Sequence, residues 1–146
     1  MTVSLRRASP DDSDVLAGMN RALIQDEGSP STLTLLELSE RMRRWLLGDW
    51  TGVLILIGEV VIGYALFQER RDEAQVEVYI RQFYIKPPFR RRGLGREAFE
   101  QMQAGYFPPG APVVLDVLAT NPGARHFWEK LGFRSCAEPL RLEKRG

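Results

Sequence analysis

The passage that most constrains this chain lies in its second half. An alternating run, AQVEVYIRQFYI over 74–85, is stopped by Pro87 and Pro88, which cannot donate to a β-ladder. A turn with two glycines then opens a helical stretch, Gly93 to Tyr106, and this leads into the β-branched APVVLDVLA, bounded by Pro-Pro-Gly and Asn-Pro. A strand, a helix and a neighbouring strand in that order make a right-handed crossover. Ala74 to Ile85 and Pro112 to Ala119 are therefore expected to lie side by side and parallel.

What precedes this passage has a different character. VSLRRA alternates like a short strand, and a helix follows with Ser9 as N-cap, Pro10 at its first position and Gly28 as its stop. In TLLELSERMRRWLLG, Thr34 and Glu37 form a capping box, Leu35, Leu38, Met42, Trp45 and Leu46 share one face, and Gly48 ends the helix. The apolar stretch Val53 to Phe67 is broken by Gly58, Glu59 and Gly63 and is too short for a membrane-spanning helix, which needs about 20 residues. It reads as two strands turning at Gly58-Glu59. After the crossover, Asn121 caps and Pro122 opens a fourth helix through Lys130. Phe133 to Leu142 should supply one or two closing strands. The expected fold is α/β (α+β), with a mixed, mostly antiparallel sheet of six to seven strands flanked by about four helices.

The 146 residues are 44% hydrophobic and 27% charged, which fits one domain spanning 1–146. With 20 basic and 19 acidic residues, the net charge of +1 gives no global electrostatic case for nucleic acid or an anionic membrane. The single cysteine, Cys136, fits a reducing compartment, and with the single histidine, His126, it leaves no Cys/His metal cluster. No metal is expected. The N-terminus, MTVSLRRASP, has no apolar core of a signal peptide, so the cytoplasm is the simplest location.

The chemistry is concentrated at the crossover. Arg90, Arg91 and Arg92 stand just before a helix start, where free N–H groups already carry partial positive charge. An anion would explain them; a solvated loop would tolerate them. Gly93 and Gly95 let an anion approach the backbone closely, and Arg96 adds another charge. A Walker loop is excluded because no Gly-Lys-Ser/Thr follows. GLGREA, Gly93 to Ala98, matches the dinucleotide fingerprint, with Asp116 about 20 residues on. In that fold, however, the strand runs straight into the first glycine, whereas here two prolines and three arginines intervene.

RRRGLG, with Arg90, Gly93 and Gly95 in a Q/R-x-x-G-x-G/A pattern, resembles the acyl-CoA pyrophosphate loop of the GNAT superfamily of N-acetyltransferases. NPGARHFWEKLGF, Asn121 to Phe133, resembles that family's later N-x-x-A-x-x-F-Y-x-x-x-G-F segment. The resemblance covers nearly the whole chain, least diagnostically over its first 50 residues. It implies acetyl-CoA as cosubstrate, a small-molecule amine or a protein amino group as acceptor, and a splayed parallel pair of strands at the cofactor cleft. It leaves a homodimer open. Phe83, Tyr84 and Ile85 would pair with the pantetheine arm, a backbone N–H there polarising the thioester carbonyl. Arg90 opens that loop, and the segment Arg91, Arg92, Gly93, Leu94, Gly95 and Arg96 would wrap the pyrophosphate with backbone N–H groups. Asn121, Ala124 and Trp128 would line the far wall.

Direct transfer needs an amine stripped of its proton and an acid for the leaving thiolate. In the family a tyrosine is the usual acid, and it occupies the place of Trp128. Indole does not titrate in this range, so either the thiolate leaves unprotonated or Tyr84 or Tyr79 acts. His126 falls about 200° round the helix from Trp128 and is expected to face away. Glu77 shares a strand face with Tyr79 and is one candidate base. Arg81 and Gln82 stand where related polyamine acetyltransferases carry acids. Asp26 and Glu27 can meet a cationic amine or be ordinary solvated acids, and Asp116 can be buried and paired or reach the cleft. Met42, Trp45 and Trp50 are assigned to the core. The alternative to an enzyme is a non-catalytic acyl-CoA-binding regulatory module, for which Trp128 is the main support.

Overall fold

A computed structural model describes residues 2–118, 121–136 and 142. Its elements, in order, are β1 (Ser4–Arg7), α1 (Ser13–Glu27), α2 (Leu35–Leu47), β2 (Thr51–Ile57), β3 (Val60–Asp72), β4 (Gln75–Ile85), α3 (Leu94–Gly105), β5 (Val113–Leu115) and α4 (Pro122–Lys130). The strands form one sheet in the order β1-β2-β3-β4-β5, antiparallel except for the β4–β5 pair. Among the described residues the sheet has five strands, fewer than the six to seven expected. Phe133 to Cys136 are not in a strand, and 137–141, where closing strands were expected, lie outside the described residues.

Local chemistry sets most boundaries. The Thr34 hydroxyl accepts from the Glu37 N–H at 3.1 Å while the Glu37 carboxylate accepts from the Thr34 N–H at 2.9 Å. Gly28 closes α1 in the left-handed region with φ 67°, and Gly58 turns β2 into β3 with φ 58°. Ser9-Pro10 begins a 3₁₀ turn over Pro10–Asp12, and α1 proper starts at Ser13, whose hydroxyl donates to the Pro10 carbonyl at 2.6 Å. The β3–β4 hairpin runs past Phe67 to Asp72, further than expected, as a polar two-stranded ribbon.

Two helical layers cover the sheet. Leu16 and Met19 of α1 and Met42 of α2 pack with Leu54, Tyr64, Leu66 and Tyr84 on one face. Phe99 and Met102 of α3 and Trp128 of α4 pack with Val53, Ala65, Phe67, Val78 and Ile80 on the other. A strand alternates its faces with period two, and β4 breaks that rhythm once. Phe67 pairs with Ile80 and Leu66 with Gln82, which leaves Arg81 as an extra residue. Before this bulge Val78 and Ile80 face α3 and α4. After it Phe83 and Ile85 do so, and Tyr84 joins the α1–α2 layer.

Candidate active site

β4 and β5 are paired only from Val78↔Val113 to Ile80↔Leu115. Beyond Ile80 the bulge turns β4 away and β5 ends, so among the described residues no strand pairs with 81–85 on that side. Strand geometry turns alternate N–H and C=O groups of this stretch toward the gap. The gap is a cleft of about 80 Å³ bordered by Arg81, Gln82 and Phe83 of β4, by Leu115 to Leu118, by Asn121, Ala124 and Trp128, and by Leu23 and Glu27 of α1. A larger open depression, about 450 Å³, lies by the C-terminal end of α3 between Arg7, Asp49, Glu69 and Tyr106, and no residue of the cleft or of the arginine–glycine loop borders it.

The far wall is built by α4. The Asn121 side chain accepts from the Ala124 N–H at 3.1 Å, fixing the helix start. Trp128 is 7% exposed and packs edge-on against Phe83, Phe99, Phe127 and Phe133, with centroids 4.9–5.6 Å away. His126 is exposed, as expected from its helical position.

The loop at the open end is held from both sides. The Lys86 N–H donates to the Ile62 carbonyl at 2.7 Å, Pro87–Phe89 form a 3₁₀ turn, and Arg91 and Gly93 follow with φ of 62° and 76°. Gly93 is the N-cap of α3 and no side chain caps that helix, so its first N–H groups point outward. The two glycines serve different ends. A Cβ on Gly93 would meet nothing within 4 Å, whereas one on Gly95 would lie 2.9 Å from Phe127 Cε1. Gly93 supplies a left-handed turn in open space, and Gly95 lets α3 approach α4.

The four arginines also divide. Arg91 and Arg92 are exposed at the helix start. Arg96 reaches across to α4, donating to the Lys130 carbonyl at 3.0 Å, and pairs with Glu100 at 3.6 Å. Arg90 folds back: its Nε donates to the Ile85 carbonyl at 2.7 Å and its terminal nitrogen meets Asp26 at 2.6 Å, with the guanidinium 5.3 Å from the Tyr84 ring centre.

On the α1–α2 side, the Tyr64 phenol is fully buried and donates to Gln82 at 2.9 Å. Burial, followed by the charge of Glu27, holds that phenol far above its ordinary range. Glu27 borders the cleft, and burial together with the neighbouring Asp26 charge raises its carboxyl above the usual carboxylate range. Asp116 is exposed at the cleft and accepts the Tyr79 hydroxyl at 2.7 Å; burial and that bond raise the Tyr79 phenol. Burial also raises Tyr84, opposed by Arg90.

The cleft therefore gathers Phe83, Asn121, Ala124, Trp128 and Glu27. Tyr84 and Trp128 lie on opposite faces of the sheet. Glu77 sits opposite Arg70 near the start of β4 and does not border the cleft; six residues before Phe83, it is about 20 Å away along the strand. Of the residues assigned to the core, Met42 is there, but Trp45 and Trp50 are only partly buried and carry arginines against their rings. The link between Tyr79 and Asp116 had no sequence signal, because the residues stand 37 positions apart.

A sheet whose parallel pair opens at a bulge, with a strand edge and an uncapped helix N-terminus sharing the opening, defines a mixed α/β class that builds its ligand cleft between two splayed strands. The chain belongs to the acetyltransferase (GNAT) family, whose model matches residues 14–133. Acetyl transfer is that family's chemistry. Similar solved structures include a possible acetyltransferase from Clostridium difficile 630 (17% identity, 99% of this chain and 98% of the other, TM-score 0.81). A predicted acetyltransferase from Clostridium acetobutylicum, solved with acetyl-CoA, has 17% identity over 97% and 96% of the chains and a TM-score of 0.76. The aminoglycoside N-acetyltransferase AAC(6')-Iy, in complex with CoA, has 16% identity over 99% and 95%, with a TM-score of 0.77. No curated protein matches the chain. Among the described residues no helix is long and apolar enough to cross a membrane.

Proposed function

We propose that this chain is an N-acetyltransferase that moves the acetyl group of acetyl-CoA to the primary amine of a small molecule by direct attack in a ternary complex. The observation that carries the reading is the unpaired edge of β4, residues 81–85, leading into an uncapped helix N-terminus at the same opening. A strand edge can pair with an extended, amide-bearing arm, and helix N–H groups can hold a pyrophosphate. That two structures of this fold were solved with acetyl-CoA and CoA supports it.

In the proposed reaction the amine nitrogen attacks the thioester carbonyl carbon. The C–N bond forms, the C–S bond breaks with its electron pair going to sulfur, and the amine loses one proton while the thiolate gains one. A backbone N–H of the 81–85 edge stabilises the carbonyl oxygen as charge develops. Glu27 takes the proton. Its raised pKa makes it a stronger base than an ordinary glutamate, suited to an ammonium of pKa near 10.4 that is only about one part in a thousand neutral at pH 7. Because the base acts when deprotonated, kcat/KM should fall as the pH drops through a value above the usual carboxylate range. Glu27→Gln should remove this acid limb and lower kcat about a hundredfold. An unchanged profile in Glu27→Gln assigns the proton to another group.

Trp128 shapes the thioester end by packing and transfers no proton. Trp128→Phe keeps the ring contacts with Phe83 and Phe99 in kind, so steady-state activity should fall about tenfold at most, the size of one hydrogen bond or a packing defect. A thousandfold loss in folded protein would assign the indole a direct part in the reaction.

The decisive experiment combines calorimetry of acetyl-CoA binding with mass detection of acetylated products over a panel of amines. Binding with turnover supports the enzyme, and binding without turnover of any amine supports a regulatory acyl-CoA-binding module. Absence of binding removes both.

A further inference from the structure

Beside the cleft, on the α1–α2 side, two guanidinium groups stand against one aromatic ring. Arg81, the bulged residue, borders the cleft with its guanidinium carbon 4.6 Å from the Trp45 ring centre and 5.4 Å from that of Trp50. Arg41 of α2 stands 4.4 Å from the same Trp45 ring. Arg41 donates to Asn20 Oδ1 at 3.1 Å, and its buried Nε has no hydrogen-bond partner among the described residues. Asn20 is fully buried beside the Tyr64 phenol. Burial and then the charge of Arg81 push the Arg41 guanidinium down. Arg41 is partly buried and Arg81 exposed; their like charges repel, and an anion in contact with both would relieve the repulsion.

The same cleft carries the opposite sign on Glu27 and Asp116. A polycation would meet Arg81, and a simple anion would meet Glu27. A molecule with both charges satisfies both walls. Building on the acetyl-transfer reading above, we propose that the acceptor is an amino-acid-like zwitterion. Its carboxylate would rest against Arg81 and Arg41 beside Trp45, and its amine would face Glu27 and the thioester.

The test compares matched pairs, phenylalanine with phenylethylamine and lysine with cadaverine, by CoA-thiol release at saturating acetyl-CoA, with CoA binding measured by calorimetry on the same preparations. The carboxylate-bearing member of each pair should have a kcat/KM higher by about tenfold or more, the size of a charge-assisted hydrogen bond. Arg81→Gln should bring the ratio toward one and Arg81→Glu should invert it. A wild-type preference for the decarboxylated amine, equal use of both, or a ratio that Arg81→Glu leaves unchanged overturns the zwitterion assignment while leaving the acetyltransferase standing. CoA binding without turnover of any of the four compounds overturns the zwitterion assignment and favours the binding module. No CoA binding overturns both readings.

Discussion

Gly93→Glu is expected to fold and to lose most of its affinity for CoA. Gly93 has φ of 76° at the N-cap of α3, and the space on that side is open, with nothing within 4 Å of where a Cβ would sit. The backbone cost of a non-glycine residue in the left-handed region is about 1–2 kcal/mol. A carboxylate near a helix N-terminus returns about 0.3–1 kcal/mol of that. The net loss of stability is small, so the fold survives. The same carboxylate, however, would occupy the place proposed for the pyrophosphate. Two like charges 4 Å apart near a protein surface repel by about 4 kcal/mol at an effective dielectric of 20. Calorimetry should therefore show CoA binding weakened about a hundredfold or more. Gly93→Ala carries the same backbone cost without the charge and should retain binding. Equal affinity in wild type and folded Gly93→Glu would remove the pyrophosphate from this loop.

Gly63→Ala should be the most damaging single-methyl change to the fold. Gly63 lies on β3 between Ile55 and Ile85, and a Cβ there would run into the Tyr84 carbonyl oxygen and come within 3.1 Å of the Ile85 Cα. These are backbone atoms of the next strand, so no rotamer change can relieve the contact, and β3 and β4 must move apart. Overpacking of this kind costs roughly 3 kcal/mol, read as a drop in the denaturant midpoint at constant slope. Gly18, exposed within α1 and with nothing within 4 Å of its Cβ position, is the control: Gly18→Ala should stabilise by about 0.5–1 kcal/mol. An unchanged midpoint in Gly63→Ala, or the same shift at both sites, would show that the sheet has slack where the geometry gives it none.

Much of the fold was legible because its signals are local. The Thr34–Glu37 box, the stop at Gly28 and the turn at Gly58 each rest on a few neighbouring residues, and all are present. The parallel β4–β5 pair followed from crossover geometry. In the site, α4 was readable from its cap and its period, and Asn121, Ala124 and Trp128 do border one cleft. What was not legible depends on distant partners. The motif places Arg90 and Arg96 at the anion loop but does not show that the Arg90 side chain is bound to Asp26, 64 positions earlier, or that Arg96 donates to the Lys130 carbonyl and pairs with Glu100. Trp45 and Trp50 read as core by size alone, since nothing local announces that arginines from α2 and β4 will stack on them. The bulge, by contrast, does leave a local trace. The apolar positions of β4 run 78, 80, 83, 85, and the step of three at Arg81 marks the bulge that opens the cleft.

That extra residue works on the strand as a frameshift works on a message. Every side chain after Arg81 takes its address, α3–α4 layer or α1–α2 layer, from there being one residue too many at that point. Exchanging the side chain at 81 leaves all later addresses intact, so the position can vary and, under the proposed function, alter what the acceptor meets. Deleting the residue would send Phe83 and Ile85 toward α1 and α2 and Tyr84 into the aromatic cluster around Trp128. In this architecture the identity of residue 81 is adjustable and its presence is not, so under the proposed function it is a place where acceptor preference can change between related chains while the α3–α4 wall stays as it is.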